Sequence, residues 1–185
     1  MMMKKSRYGF LLLLGILFLL VTQMGLAFAA DQKAAAAKIQ ALNDQIVAAN
    51  EARDLPTALR AAQEAVQVAK AGYGKNSLPA ADTMNNLANL YLYLKRAKEA
   101  EQLYRQAILI DLQKLDKEGT EIAAIYFNLG VAYAMQKKYS AAIDVLNRAL
   151  TIRLKKLGPD NVETKHVEQM IEELTKLAYP NEVKI

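Results

Sequence analysis

The chain contains no cysteine, and His166 is the single histidine among its 185 residues. The absence of cysteine excludes disulfide bonds, thiolate metal sites, a cysteine nucleophile and the cysteine of a lipoprotein anchor. A lone histidine has no second histidine with which to hold a metal, so we expect a surface or capping role for it. The stability of the fold must therefore come from apolar packing.

Signatures of catalysis are also missing from the sequence. It has no glycine-rich phosphate loop, no H-E-x-x-H and no G-x-S-x-G. The acidic residues Glu168, Glu172 and Glu173 form a charge run of the kind that faces solvent on a helix. We therefore predict that the protein is not an enzyme and uses no cofactor and no metal.

Positive charge is concentrated at the N-terminus. The net charge is +5, but residues 1–29 hold three basic residues and no acid, which leaves 21 basic against 19 acidic residues. No remaining run of Lys and Arg is dense enough to neutralise many phosphates. The sequence therefore predicts that nucleic acid is not a partner.

The same N-terminal segment has the order of a secretory signal peptide. Lys4, Lys5 and Arg7 precede an uncharged apolar stretch from Phe10 to Val21, and small residues follow at 27–30. This order predicts that residues 1–29 are a signal peptide, cut after Ala29 or, as the second choice, after Ala30.

An uncleaved anchor is the alternative for this segment, because Tyr8 to Ala30 is long enough to cross a membrane core of roughly 30 Å as a helix. In that case the protein would meet a membrane only through its N-terminal segment. Both forms predict an exported protein, either in the periplasm of a Gram-negative source or anchored in the inner membrane and facing the periplasm.

An internal repeat of 42 residues is the strongest signal in the chain. The spacing relates Leu87 to Leu129, Ala88 to Gly130, Tyr91 to Tyr133, Ala100 to Ala142, and Ala107 to Ala149. A weaker copy lies 42 residues earlier, where Ala58 and Ala65 match Ala100 and Ala107. Small residues at the matched positions allow two helices to approach closely.

Each copy has the periodicity of two helices. The first helix of the second copy carries an i, i+3, i+4, i+7 stripe made of Leu87, Ala88, Leu90, Tyr91 and Leu94. Ser77 with Pro79 and Asp54 with Pro56 predict helix starts, and Gly72, Gly74, Gly119 and Gly158 predict helix ends. We expect helices over residues 33–52, 55–72, 78–94, 97–116, 120–136, 139–157 and 161–177.

These residues resemble the tetratricopeptide repeat, in the 42-residue form of kinesin light chains. Three segments carry the resemblance: Thr83-Met84-Asn85-Asn86-Leu87-Ala88-Asn89-Leu90-Tyr91, Ala100-Glu101-Gln102-Leu103-Tyr104-Arg105-Gln106-Ala107, and the loop Leu154-Lys155-Lys156-Leu157-Gly158-Pro159-Asp160. The family usually has His-Pro after this Asp, whereas this chain has Asn161-Val162.

The resemblance implies an all-α fold, a tetratricopeptide-type α-solenoid of three helix pairs plus a C-terminal capping helix, preceded by the signal peptide. We place the domain at 33–177, with repeats at about 37–78, 79–120 and 121–162, the capping helix at 161–177 and a C-terminal tail at 178–185. The first helices of the pairs would line a concave groove.

The resemblance also implies which side chains face that groove. They are Asn43, Val47 and Asn50 in the first copy, Asp82, Asn85, Asn86, Asn89 and Tyr93 in the second, and Ala124, Phe127, Asn128, Val131 and Met135 in the third. Amide side chains can pair with the backbone of an extended peptide, and Tyr93, Phe127 and Met135 could anchor it. The alternative is that the asparagines face solvent or bond between helices.

One ligand class of the family does not fit this groove. The clamp for a C-terminal dicarboxylate uses lysines, asparagines and a further basic residue, and its places here are Asn43, Val47, Asn86, Ala124 and Asn128. Only Asn86 keeps the residue type of the clamp. We therefore predict an exported module that binds another protein or peptide, as an envelope scaffold or assembly factor. The alternative is a structural subunit that self-associates through its convex face or repeat ends.

Overall fold

The computed structural model describes residues 2–114 and 119–180, with side chains from Ile16 onward. These residues form seven α-helices and no strand. The helices are α1 (Met2–Glu51), α2 (Leu55–Tyr73), α3 (Leu78–Tyr93), α4 (Ala97–Lys114), α5 (Thr120–Met135), α6 (Tyr139–Leu157) and α7 (Val162–Ala178). The basic start at Lys4, Lys5 and Arg7 and most of the predicted tail lie outside the residues whose side chains are described.

Helix starts follow from local capping, as the sequence predicted. The side chain of Asp54 accepts a hydrogen bond from Thr57 N at 3.2 Å, and that of Ser77 accepts one from Ala80 N at 3.3 Å. Each satisfies a backbone N–H that has no partner within its own helix. Asn161 caps α7 in the same way.

The turn within each copy repeats its backbone conformation every 42 residues. Arg53, Lys95 and Lys137 have φ angles of 57°, 62° and 60°, although none of them is glycine. In each turn the following N–H donates back to a carbonyl five residues earlier, as Arg96 N does to Tyr91 O at 2.8 Å. The repeat is therefore present in the backbone as well as in the side chains. Nothing in the residue types predicted these left-handed conformations.

Successive helices pack against one another in chain order, from α1 on α2 to α6 on α7. Small residues fill the closest contacts, and they recur every 42 residues: Ala58, Ala100 and Ala142 are all fully buried. Larger apolar side chains, among them Met84, Leu87, Tyr126 and Leu129, complete a core that runs along the stack.

The first helix differs from its predicted form. Expected at 33–52, it begins at Met2 and passes through residues 29 and 30 without a break. Alanine- and leucine-rich sequence favours helix, and no capping residue or proline interrupts it. The apolar side chains at 16–30 are exposed, and packing on α2 begins near Ala35.

Gly72 and Gly119, which the sequence predicted as helix ends, have other roles in the structure. Gly72 lies inside α2, where an added Cβ would be 2.4 Å from the Cβ of Ala35, so this glycine permits the contact with α1. Gly119 precedes α5 as its N-terminal cap residue. Gly74 and Gly158 do end helices, with φ of 91° and 83° that side chains rarely adopt.

We expect Gly130→Ala to destabilise the protein by up to roughly 2 kcal/mol, as measured by urea unfolding. An added Cβ would lie 2.6 Å from Cγ of the fully buried Leu146. Overpacking costs roughly 1–3 kcal/mol, and the better helix propensity of alanine returns only about 1 kcal/mol. Gly25→Ala is the control, because a Cβ there meets nothing within 4 Å. A Gly130→Ala protein that is more stable than the wild type would contradict this account of the contact.

Candidate functional site

A cleft of about 370 Å³ lies between α1 and α3. It is lined by Asn43, Ile46, Val47, Asn50, Asn86, Asn89 and Leu90. Five of these seven residues belong to the predicted groove. They lie together because α1 and α3 present the same helical face, one repeat apart, to the same side of the stack.

The cleft combines exposed amides with an exposed apolar side chain. Asn50, Asn86 and Asn89 are exposed, and Asn43 is half-buried. Val47 has 57% of its surface exposed, although it is apolar. Such a surface offers both hydrogen-bonding groups and apolar contact to an extended chain.

Asn89 is held in place by a hydrogen-bond network that joins three helices. The hydroxyl of Tyr104 on α4 donates to Asn89 Oδ1 at 2.6 Å, and Asn128 Nδ2 on α5 donates to the same oxygen at 3.0 Å. Burial raises the pKa of the Tyr104 hydroxyl, so it remains a proton donor. With its oxygen already accepting twice, Asn89 has its amide N–H groups left for a ligand.

The alternative considered for the asparagines was that they bond between helices. This holds for Asn89 and Asn128. It does not describe Asn50 or Asn86, whose exposed side chains have no hydrogen-bond partner among the described residues.

The predicted groove residues of α5 lie in different surroundings. Phe127 is half-buried, with the ring of His166 at 5.1 Å and the guanidinium carbon of Arg153 at 5.1 Å from its centroid. Phe127 therefore packs against side chains of α6 and α7. Val131 is half-buried, whereas Met135 and Tyr93 are 38% and 68% exposed.

Two further oxygen atoms, one on α3 and one on α4, are buried and have no hydrogen-bond partner within the described residues. Asn85 Oδ1 and Asp111 Oδ1 have no hydrogen-bond partner among the described residues, and Asp111 is only 2% exposed. Burial, and then the charge of Asp82, raise the pKa of Asp111 from 3.8 to about 6. Burial also raises the pKa of Asp82.

The sequence analysis did not single out Asp111, although comparison of the copies at the 42-residue spacing could have drawn attention to it. The equivalent residue of the third copy is Arg153, so the charge at this buried position reverses between copies. No group of three or more His, Cys, Asp or Glu side chains that could hold a metal occurs in the described part of the chain.

Comparison with known proteins identifies the repeat. Two family profiles described as tetratricopeptide repeat match residues 38–113 and 123–153, which together span more than half of the chain. The chain belongs to the tetratricopeptide repeat family. The resemblance to kinesin light chains is confirmed by structure: a putative kinesin light chain of Podosopora anserina, with nearly identical repeats, superposes with a TM-score of 0.69.

That superposition covers 76% of this tetratricopeptide repeat protein and 66% of the fungal chain, at 15% identity. The N-terminal domain of stress-induced protein-1 from C. elegans superposes with a TM-score of 0.57 at 21% identity, covering 80% of this chain and 98% of the domain. At these identities the likeness establishes the fold and does not extend to ligands.

A curated relative, the clustered mitochondria protein homolog of Aspergillus clavatus, is 30% identical over 122 residues, which is 66% of this chain. The chain spans only about a tenth of the length of that relative. Relatives with the same description come from other fungi, including Coccidioides immitis.

The predicted location is wrong. The matching curated proteins are fungal, and their name refers to mitochondria and not to a bacterial envelope. Export was predicted from a basic start, the leucine-rich stretch from Phe10 to Val21 and the small residues at 27–30. Leucine and alanine also favour helix, and this segment forms the first part of α1, which continues into the repeats. From Ile16 onward, where side chains are described, no helix is long and apolar enough to span a bilayer.

We expect Asp111→Asn to raise the free energy of unfolding at pH 7.5 by on the order of 1 kcal/mol, since it removes a buried unpaired charge. The raised pKa means that the folded state binds a proton more tightly than the unfolded state. The destabilisation that the buried charge of Asp111 causes is therefore complete above pH 6 and decreases as the pH falls towards 4.

Urea unfolding between pH 4 and 7.5 measures this effect, with the exposed Asp144→Asn as the control. The difference between Asp111→Asn and the wild type should shrink towards pH 4, whereas Asp144→Asn should track the wild type throughout. An Asp111→Asn protein that is less stable than the wild type at pH 7.5 would refute the interpretation.

Proposed function

We propose that this chain is a protein interaction module that binds an extended peptide segment of another protein in the groove formed by α1, α3 and α5. In this proposal the domain spans 33–177 as three helix pairs, and α7 closes the end of the stack. Tetratricopeptide repeats generally mediate interactions between proteins, which supports the general class of function.

The cleft between α1 and α3 carries the proposal. It brings Asn43, Val47, Asn50, Asn86 and Asn89 to one surface without placing a charged side chain among them. A peptide backbone has both donors and acceptors, and a primary amide can pair with either. Val47 would add apolar contact, which an interaction surface needs at its centre.

Preorganisation of Asn89 also supports this proposal. Tyr104 and Asn128 fix its amide before any ligand arrives, so little side-chain entropy is lost on binding. Tyr93 on α3 and Met135 on α5 are also exposed, and we propose that they contact the ends of the bound segment. Phe127 would act through packing on His166 and Arg153.

We expect the double variant Val47→Ser/Asn86→Ala to weaken peptide binding by about tenfold or more, because central contacts dominate binding energy. The probes are peptides selected against the wild-type protein from a random display library, with affinities measured by fluorescence anisotropy. Both substituted side chains are exposed, so thermal unfolding should remain close to that of the wild type.

The control for that variant is Val162→Ser/Asn147→Ala, which changes the same residue types at exposed positions on α7 and α6. It should bind the selected peptides like the wild type. Selected peptides that bind both double variants equally well would place the binding surface elsewhere, and a failure to select any peptide would count against the function itself.

Self-association is a second candidate function, supported by a cleft of about 390 Å³ among α4, α5 and α6. Apolar side chains line it, including Leu109, which is 61% exposed. Sedimentation equilibrium tests this candidate: it predicts a mass that rises with concentration and that Leu109→Lys reduces to one chain. A single-chain mass of the wild type at every concentration would reject it.

A further inference from the structure

A second open cleft, of about 330 Å³, lies between α2 and α4 and shares no residue with the cleft of the groove. Residues of α2, α3, α4 and the loop after α2 line it: Lys70, Lys75, Asn76, Met84, Gln106, Leu109, Ile110 and Gln113. Five of these eight residues are exposed, so a ligand can reach the cleft from outside.

Two ammonium groups in this cleft lack a partner. Lys70 is half-buried in the last turn of α2, and Lys75 is exposed in the loop that follows. Neither ammonium group forms a hydrogen bond or an ion pair with a described residue. Within the same part of the chain no acidic side chain lines the cleft, since Asp111 follows Ile110 in α4 but is buried outside the lining. The cleft therefore presents positive charge without compensation.

Apolar side chains accompany the two lysines. Leu109 is 61% exposed, whereas Met84 and Ile110 line the cleft from the core. The dipole of α2 favours a cation in its last turn, which accounts for Lys70 within the helix. It does not account for Lys75, which lies beyond the helix, or for the exposed leucine. A partner segment that places an acidic residue beside an apolar one would use both features.

The cleft among α4, α5 and α6 is the equivalent place one repeat later, and it differs in charge. Three lining positions correspond at the 42-residue spacing: Lys70 with Leu112, Met84 with Tyr126, and Gln106 with Arg148. The guanidinium carbon of Arg148 lies 5.7 Å from the ring centroid of Tyr126. The other arginine of that cleft, Arg105, lies 3.5 Å from Glu101. Its cations are thus engaged within the chain, whereas the two lysines of the earlier cleft are not.

We propose that the cleft between α2 and α4 binds an acidic side chain of a partner protein. Lys70 and Lys75 would donate to its carboxylate, and Leu109 would contact an apolar residue beside it. The exposed amides of Gln106 and Gln113 can donate to the backbone of the same segment. Hydrogen bonds between ionised groups are about twice as strong as neutral ones. This surface is separate from the groove, so the inference goes beyond the proposed function.

An acidic protein segment fits this cleft better than a nucleic acid or a second copy of the chain. Nucleic-acid binding depends on the neutralisation of many phosphates, whereas two lysines meet here beside apolar side chains. A second copy related by a two-fold axis at this cleft would bring the same lysines together, and like charges in contact oppose association.

The test begins with peptides selected from a random display library on Val47→Ser/Asn86→Ala, a protein whose groove surface is altered. We expect Asp or Glu to be enriched next to an apolar residue. Adding Lys70→Gln/Lys75→Gln to the selecting protein should abolish the enrichment of acidic residues. Selection on the altered groove separates this cleft from the surface of the proposed function.

The matched control for the lysine variant is Lys33→Gln/Lys98→Gln. It removes the same net charge at exposed positions that do not line the cleft, and it should bind the selected peptides like the wild type. Leu109→Ser should weaken binding, whereas Leu177→Ser, at a position that is 58% exposed on α7, should not. Thermal unfolding of each variant verifies that it is folded.

A double-mutant cycle on the full chain makes the pairing specific. Replacing the acidic residue of a selected peptide by its amide should weaken binding to the wild type by about fivefold or more, because two exposed ion pairs are lost together. The same replacement should change binding to Lys70→Gln/Lys75→Gln little, and the wild-type affinity should fall as salt is raised. The peptide replacement needs no variant protein, so it decides the question even where a variant unfolds.

Several outcomes would overturn the inference. Selected peptides without an enriched acidic residue, or an equal loss for the wild type and Lys70→Gln/Lys75→Gln, would refute it and leave the groove proposal untouched. An RNA oligonucleotide that displaces the peptide would assign the lysines to nucleic acid. Inorganic phosphate that displaces it more strongly than chloride of equal ionic strength would assign them to a free anion.

Discussion

Close contact between successive helices at small residues is the constraint on which the rest of this structure depends. Ala58, Ala100 and Ala142 are fully buried at the same place in each copy, and Gly130 lies directly against Leu146. Interiors of proteins are close-packed, so one extra methyl group at such a contact shifts its neighbours. The repeated spacing of the helices, and so the surface that their free faces form, follows from these contacts.

Polar side chains then distinguish copies that share one backbone. The turns at Arg53, Lys95 and Lys137 have nearly identical φ angles, but Asp111 and Arg153 place opposite charges at one buried position. Asn89 links the core to the groove, since its oxygen accepts from the buried Tyr104 and from Asn128. Small residues that recur in every copy thus set the packing, whereas the polar residues differ from copy to copy.

Most of the helices could be predicted from the sequence because their ends are marked locally. The predicted starts of α2 to α6 agree with the structure, where Asp54 and Ser77 cap as expected. The start of the first helix could not be predicted, since no proline interrupts the leucine-rich sequence before residue 33. Its apolar N-terminal part was misread as a signal for export.

The sequence by itself determined the repeat, its 42-residue period and the apolar stripe by which each helix packs on its neighbours, because these follow from the spacing of residue types along the chain. Only the tertiary structure decided which polar side chains are buried and which of them find hydrogen-bond partners. The side chains of Asn89 and Asn128, 39 residues apart, form a hydrogen bond, whereas Asp111 Oδ1 is buried without a partner among the described residues. Such outcomes depend on the packing of separate helices, and residue spacing along the chain does not contain them.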